Sequence, residues 1–338
     1  MSDPPLRWGI LGAARIARQA VVPAIRAAGG QVAVLGSRDR SRGLAMAAEL
    51  GIPTVVEGYE SVLESALDCV YIALPNSLHW EWTLAALNRG LHVLCEKPLA
   101  LTPRQAAEMG AVARGRRLVL AEAVMYRYHP RWARLIAMVR GGALGQVRQI
   151  SGTFAFTLRP PPDIRWDPAL GGGALLDVGS YLVNAARWIS GQEPDRVAAL
   201  GVLRHGVDEA ADVVLQFLGT DQVAPTMAAL SCGFGTAESQ WLRVEGTVGS
   251  VLLERPFTAW HRDALPILWE SGSSRFEQVP CPAGDPYEAM VRAFEVSVRE
   301  GAPTATGPDD GAANLAVLEA CLKSLKTGRL EPVVDFRG

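Results

Sequence analysis

The stretch RWGILGAARIA, residues 7–17, decides how the first third of this chain is read. Its apolar half, WGIL, has the makings of a short buried strand; Gly12 permits a tight turn, and Arg15 and Ile16 open a run with helical spacing. Strand, glycine turn and helix in that order form a corner whose free backbone N–H groups can hold a pyrophosphate, for which the usual pattern is G-x-G-x-x-G. Here Gly12 is followed by Ala14 and Ala17, where two further glycines could stand. The competing reading is a strand-to-helix turn that binds nothing.

Outward from this corner the same alternation repeats. The apolar runs VAVLGS, CVYIALP, HVLCE and LVLAEAV alternate with helical stretches over 16–28, 41–50, 79–88 and 103–115, a pattern that calls for right-handed crossovers and a parallel sheet. Thr102 stands as an N-cap ahead of Pro103, and Pro23 should kink the first helix. After Val124 the pattern changes. A helix over 129–140 leads into QVRQISGTFAFTL, where Ile150, Phe154, Phe156 and Leu158 alternate with small or polar residues. Strand-like runs recur near 196–203, 212–217, 226–232, 241–244 and 250–253 with connections too short for helices, which implies antiparallel pairing. Two amphipathic helices, near 287–299 and 309–327, follow. The expected fold is α/β: a doubly wound parallel sheet of the Rossmann type over 1–124, then an α+β domain over 125–338 on an open, mainly antiparallel sheet.

Composition narrows the function. With 49% hydrophobic and 20% charged residues the chain reads as globular, and no apolar run reaches the ~20 residues of a membrane span. The opening MSDPPLRW lacks a basic head followed by an apolar block, so a cytoplasmic location is expected. A net charge of -2 with scattered arginines gives no footprint for nucleic acid. Five widely spaced cysteines without a C-x-x-C suggest neither a metal site nor a disulfide framework.

The second strand ends in Ser37 and Arg38, a hydroxyl and a cation suited to a 2′-phosphate, with Arg42 one turn into the next helix as a second charge. That favours NADP over NAD; Asp39 is the residue that could instead serve a ribose. Ligands of an open parallel sheet lie beyond the carboxyl ends of its strands, so ALPNSLH, with Leu74, Pro75, Asn76 and His79, and CEKP, with Glu96 and Lys97, are the segments to examine. Farther along, RWDPALGGGALLDVGSY sets Asp177 and Tyr181 four apart behind three glycines, which places both on one face if Asp177 opens a helix. Read singly, Asp177 is equally an N-cap and Tyr181 a half-buried core residue.

Taken together, GILGAARIA, SRDRSR, YIALPNSLH, CEKPLAL, EAVMYRYHP and GGGALLDVGSY resemble the Gfo/Idh/MocA oxidoreductases, named for glucose-fructose oxidoreductase, inositol dehydrogenase and a rhizopine catabolism protein. The tyrosine of the last motif, with MYRYHP, is similar to the branch of NADP-dependent D-xylose dehydrogenases, dihydrodiol dehydrogenases and glucose-fructose oxidoreductase. The resemblance implies hydride passage between a nicotinamide and a sugar carbon. It implies Lys97 hydrogen-bonding the reacting oxygen, Tyr181 exchanging its proton and Asp177 orienting sugar hydroxyls. It places Gly12, Ala14, Arg15, Ile16, Ser37, Arg38, Arg42, Leu74, Pro75, Asn76, His79, Glu96 and Lys97 at the cofactor. It sets Arg165, Trp166 and Tyr126, with Asp177 and Tyr181, at the substrate. The chemistry would be that of an aldose 1-dehydrogenase acting on D-xylose or glucose. The alternatives are an NADPH-dependent reductase of a keto-sugar, nucleotide-linked or free, a dihydrodiol dehydrogenase, and a non-catalytic NADP-binding regulator. Met125, Tyr126, Phe156, Arg165 and the loop 160–163 would form the pocket walls that separate them. A homodimer or homotetramer through the uncovered face of the second sheet is expected.

Overall fold

A computed structural model describes residues 4–159, 163–221, 223–258, 266–270 and 277–334. The chain divides into two compact units, Met1–Met125 with Pro286–Ala312, and Tyr126–Asp285 with Ala313–Gly338.

The first unit carries six parallel strands: β1 (Arg7–Leu11), β2 (Gln31–Ser37), β3 (Thr54–Glu57), β4 (Cys69–Ile72), β5 (His92–Cys95) and β6 (Leu120–Glu122). Their order, β3-β2-β1-β4-β5-β6, runs outward in both directions from β1, and a crevice for ligands opens beside the carboxyl ends of β1 and β4. The helices of this unit are α1 (Val22–Ala28), α2 (Arg40–Leu50), α3 (Glu60–Leu63), α4 (His79–Asn88) and α5 (Pro103–Arg116). Thr102 caps α5 by accepting the Gln105 N–H. β3 has no counterpart among the strands expected from the sequence. It is a four-residue edge strand with half-exposed valines between Pro53 and Gly58, too short for a periodic signal.

The first helix is not simply kinked at Pro23. A π turn over Ala17–Val21, in which Val22 N–H reaches Ala17 O, absorbs the missing proline N–H before α1 begins. A later helix, α8 (Pro286–Glu300), returns to this unit, which a single cut after residue 124 does not express. The reason is visible at Trp8. Its indole is fully buried and needs an acceptor, which Glu295 of α8 supplies at 2.9 Å, while Phe294 packs its ring at 5.2 Å.

The second unit carries α6 (Pro130–Arg140), β7 (Val147–Thr157), α7 (Ser180–Ser190), β8 (Arg196–Arg204), β9 (Val207–Phe217), β10 (Thr226–Gly233), β11 (Gly235–Gly246), β12 (Ser250–Glu254), β13 (Ile267–Glu270) and β14 (Glu277–Val279). The helix α9 (Pro308–Thr327) starts in the first unit and continues in this one, and β15 (Glu331–Pro332) ends the sheet. The order is β14-β13-β12-β11-β7-β10-β9-β8-β15, antiparallel throughout except for β7 and β10. That pair is parallel because α7 and the β8–β9 hairpin intervene in the chain between them. The fold class read from the sequence therefore stands. α7 packs on β7 and β10 and covers one face. On the other, the register sets Leu200, Val214, Met227 and Trp241 exposed on one face, spread over neighbouring rows, with the half-buried Ser151 and Thr153 on the same face.

Among the described residues no helix is long and apolar enough to cross a membrane. Nor is any group of three or more His, Cys, Asp or Glu among them placed to hold a metal ion.

Candidate active site

In the first unit the glycine corner is built by necessity. Gly12 has φ +104°, and a Cβ there would stand 2.5 Å from Ala73 O at the end of β4, so two strand ends approach too closely for any side chain. Gly12 N–H is tied to Gly36 O at 2.9 Å, which leaves the helical start at Arg15 and Ile16 to face outward. Between this turn and α2 lies a cleft of about 320 Å3 lined by Ala13, Ala14, Arg15, Arg18, Arg42 and Glu49. Arg18 was not singled out in the sequence; it reaches Glu49 at 3.5 Å across an exposed gap, a weak pair that leaves it available to an anion.

At the end of β2 the structure separates two residues that the sequence left in competition. Asp39 caps α2, its Oδ1 accepting from Arg42 N–H at 3.1 Å and from the Ser41 hydroxyl at 2.6 Å; that hydroxyl bond, foremost, holds its carboxyl below the usual range. Ser37 is buried and gives its hydroxyl to Asp39 O at 2.7 Å, so it shapes the turn. Arg38 and Arg42 are exposed. The corner thus offers cations, helix N–H groups and a carboxylate engaged as a cap through one oxygen, and the cations fit a dinucleotide with a 2′-phosphate.

The loops after β4 and β5 are joined by one side chain. His79 is fully buried at the start of α4, with Nδ1 2.8 Å from Pro98 O and Nε2 2.9 Å from Leu74 O. Burial, foremost, pushes its imidazole below the ordinary range, and the nearby Lys97 charge acts in the same direction. The neutral ring therefore donates to one carbonyl and faces the other. Glu96 accepts the hydroxyl of the buried Tyr71 at 2.6 Å and the Lys97 N–H at 3.3 Å, so its carboxylate steadies the backbone that carries the lysine. Asn76 and Pro75 stay half-buried on the same loop, and Leu74 is buried.

In the second unit Asp177 is neither an N-cap nor the first residue of a helix. It lies inside a π turn, Leu175–Gly179, that runs directly into α7, and Tyr181 follows in the first turn of that helix. Asp177 Oδ2 accepts from Arg165 Nε at 2.6 Å, and Arg165 Nη1 lies 3.4 Å from Asp163 Oδ1. This cluster is about two-thirds or more shielded from water, and the Asp177 charge, foremost, raises the Arg165 pKa. Tyr181 stands among the rings of Phe154, Phe257 and Tyr126 at 5.7, 5.6 and 6.0 Å. One side of the phenol is thus apolar, and Asp177, paired with Arg165, precedes it by four residues in the turn that enters α7.

Two residues expected at the substrate sit differently. Tyr126 is 1% exposed and gives its hydroxyl to Asn184 at 2.5 Å, and Trp166 is 5% exposed and gives its indole N–H to Arg159 O at 2.8 Å. Both are bulky aromatics whose polar atoms are spent inside the protein, which departs from a role on an open substrate surface. Phe156 is half-buried against Phe234. Residues 160–162 of the expected wall loop lie outside the described residues. His129 caps α6 through Nδ1 and the Arg131 N–H at 3.0 Å. Sequence reasoning missed Asp208, a buried carboxylate on β9 that receives Leu175 N–H at 2.6 Å.

Residues 6–123 match the model of the oxidoreductase family with an NAD-binding Rossmann fold, and residues 132–252 match the GFO/IDH/MocA C-terminal domain. A D-xylose 1-dehydrogenase (NADP(+)) from Haloferax volcanii is 36% identical over 327 residues, 96% of this chain and 98% of its own. A dTDP-3,4-didehydro-2,6-dideoxy-alpha-D-glucose 3-reductase from Streptomyces antibioticus is 36% identical over 308 residues, 89% and 91% of the two chains. Among solved structures, a 3-ketoreductase from Actinomadura kijaniata in complex with NADP and TDP-benzene superposes with a TM-score of 0.87 at 31% identity, covering 95% of this chain and 98% of its own. That protein has also been crystallised with a tyrosine and with a lysine replaced. With both of its domains matched and relatives aligned along nearly its whole length, the chain belongs to the Gfo/Idh/MocA family of oxidoreductases.

Proposed function

We propose that this protein is an NADP-dependent sugar dehydrogenase that oxidises an aldopyranose at C1 to the lactone. The observation that carries the cofactor assignment is the corner at β2: Asp39 is consumed as a helix cap, while Arg15, Arg18 and Arg42 line the cleft beside the glycine turn. Cations for a 2′-phosphate are thereby supplied beside a carboxylate that is turned to the helix by one of its oxygens. The D-xylose dehydrogenase that matches along almost the full chain supports the substrate class.

When bound, the nicotinamide supplies a two-electron acceptor for the C1 hydride. Lys97 donates a hydrogen bond to the C1 oxygen, and its ammonium lowers the energy of the negative charge that gathers there. Tyr181 takes the hydroxyl proton as its phenolate, the phenol having first released its own proton to solvent, and the positive charge of Lys97 favours that form against the apolar rings of Phe154 and Phe257. Asp177, oriented by Arg165, accepts hydrogen bonds from neighbouring sugar hydroxyls. Lys97 and Tyr181 have the same separation in sequence as the lysine and the tyrosine replaced in the crystallised ketoreductase variants, which supports pairing them in one reaction.

The structural likeness to that ketoreductase supports a second reading, the reverse reaction on a keto-sugar carried by a nucleotide. Reduced-nicotinamide absorbance decides between them. The purified protein with NADP should turn over a free aldose such as D-xylose or glucose. Inactivity on free sugars and a dihydrodiol, with NADPH consumed in the presence of a dTDP-keto-sugar, would reject the dehydrogenase. We also propose that the exposed face around Leu200, Val214, Met227 and Trp241 is covered by a second copy of the chain, which light scattering at micromolar concentration would read as a dimer or tetramer.

A further inference from the structure

We propose that Asp208 is a positioning residue for the reaction, its buried carboxylate holding the glycine turn from which Asp177 and Tyr181 are presented. The inference rests on the roles proposed above for those two residues.

Asp208 sits on β9, 3% exposed, and points into the start of the Leu175–Gly179 turn. Its Oδ2 accepts the Leu175 N–H at 2.6 Å. Its Oδ1 lies where a side chain on Gly173 would be: a Cβ there would stand 2.1 Å from it, and Gly173 also has φ +114°. The third glycine of the motif is therefore required by this carboxylate as well as by the turn. Gly173 O in turn accepts the Asp177 N–H at 3.1 Å. A second restraint comes from Gly172, whose Cβ would lie 2.5 Å from Arg165 O, so the backbone of the arginine that pairs with Asp177 is seated against the same turn. Free N–H groups at a helix start are best met by an acceptor carrying negative charge.

That charge is adjustable. Burial pushes the Asp208 carboxyl up to about 6. The titratable groups facing it are the thiols of Cys232 on β10 and Cys321 on α9, and burial holds the first well above its usual range and the second at about 12. Along its own strand stand Glu209, engaged by Arg204, and Asp212, engaged by Ser231. The thiols stay neutral from pH 5 to 8, so the change of charge at the turn in that range is that of Asp208.

The test compares wild type with Asp208→Asn, a near-isosteric change that keeps one acceptor oxygen and removes the charge. Wild-type kcat should fall below pH about 6 with the sugar KM little changed. D208N should lack that acid limb and run about 10-fold below wild type at pH 8. Amide hydrogen exchange gives a reading independent of turnover: segment 173–181 should exchange faster in D208N than in wild type at pH 8, because the Leu175 N–H loses its charged acceptor. Unchanged kcat with the same acid limb, or equal exchange at pH 8, would overturn the proposal. If the wild type turns over no sugar, the functional reading fails by itself and the exchange comparison still decides the role of Asp208. Should D208N not fold, the wild type alone answers, because a kcat with no acid limb near pH 6 would overturn it.

Discussion

Lys97 and Tyr181 are supported by different physics. The lysine leaves β5 on a loop pinned by a neutral imidazole between two backbone carbonyls, with Glu96 held by the Tyr71 hydroxyl. The tyrosine follows a π turn whose neighbours are charges: Asp208 at the turn's N–H groups, and Arg165 between Asp163 and Asp177. The first arrangement is local to two adjacent strand ends and is built mainly from hydrogen bonds of a neutral ring and of one carboxylate. The second draws on three separate stretches of chain, 163–165, 173–181 and β9, and is built from charges, so its geometry responds to pH and ionic strength. One half of the proposed chemistry is thus fixed by backbone, the other by a balance of charges.

The comparison breaks most sharply if the two reacting groups are not equivalent in importance. Lys97→Met and Tyr181→Phe should each lower turnover by at least ~100-fold while NADP binding, followed by fluorescence titration, stays within a few fold of wild type. Wild-type turnover from either variant removes that residue from the reaction, whatever supports it.

A smaller effect, about 10-fold, is expected at the charged support. Arg165→Met strips Asp177 of its partner while keeping the length and apolar stem of the side chain. The carboxylate then turns toward water, and sugar KM should rise about 10-fold with kcat changed less. Added salt should narrow the gap between wild type and variant by weakening the native ion pair. A loss confined to kcat would show that Arg165 acts on the proton transfer and not on sugar orientation.

The same contrast explains what could be read from the sequence. The Rossmann sheet was legible because β1, β4 and β5 are short apolar runs ending in turns whose residues carry their own signal, Gly12 and the E-K-P tripeptide among them. Pro23 was legible as a disturbance, but not that a π turn would absorb it. Asp177 was visible as a residue, but not its place inside a π turn, because a π turn and an N-cap look alike in a string of letters. Asp208 was invisible. It lies 33 positions from the amide it meets, on a strand where an acidic residue ordinarily faces water. α8 was seen as amphipathic, yet its partner, Trp8, is 287 residues away.

The finest distinction between the two supports lies in the sign of their response to acid. Asp208 has a folded pKa above that of the unfolded chain, so its ionisation opposes folding above pH about 6, and acid relieves that cost. His79 behaves oppositely. Its folded pKa is depressed, foremost by burial, below the unfolded value of about 6.5, so the unfolded chain binds a proton that the folded one refuses, and stability falls as pH drops through 6.5. Between pH 6.5 and 5.5 the one-proton linkage is worth at most about 1 kcal/mol. His79→Gln keeps a donor for one of the two carbonyls but does not titrate, so its stability should lack that share of the decline. Urea unfolding followed by tryptophan fluorescence at the two pH values should show wild type losing more stability than H79Q, by up to about 1 kcal/mol. Equal losses would mean that the ring takes up its proton in the folded state and donates to Pro98 and Leu74 together, which would make the support of Lys97 a charged one and dissolve the contrast with Tyr181.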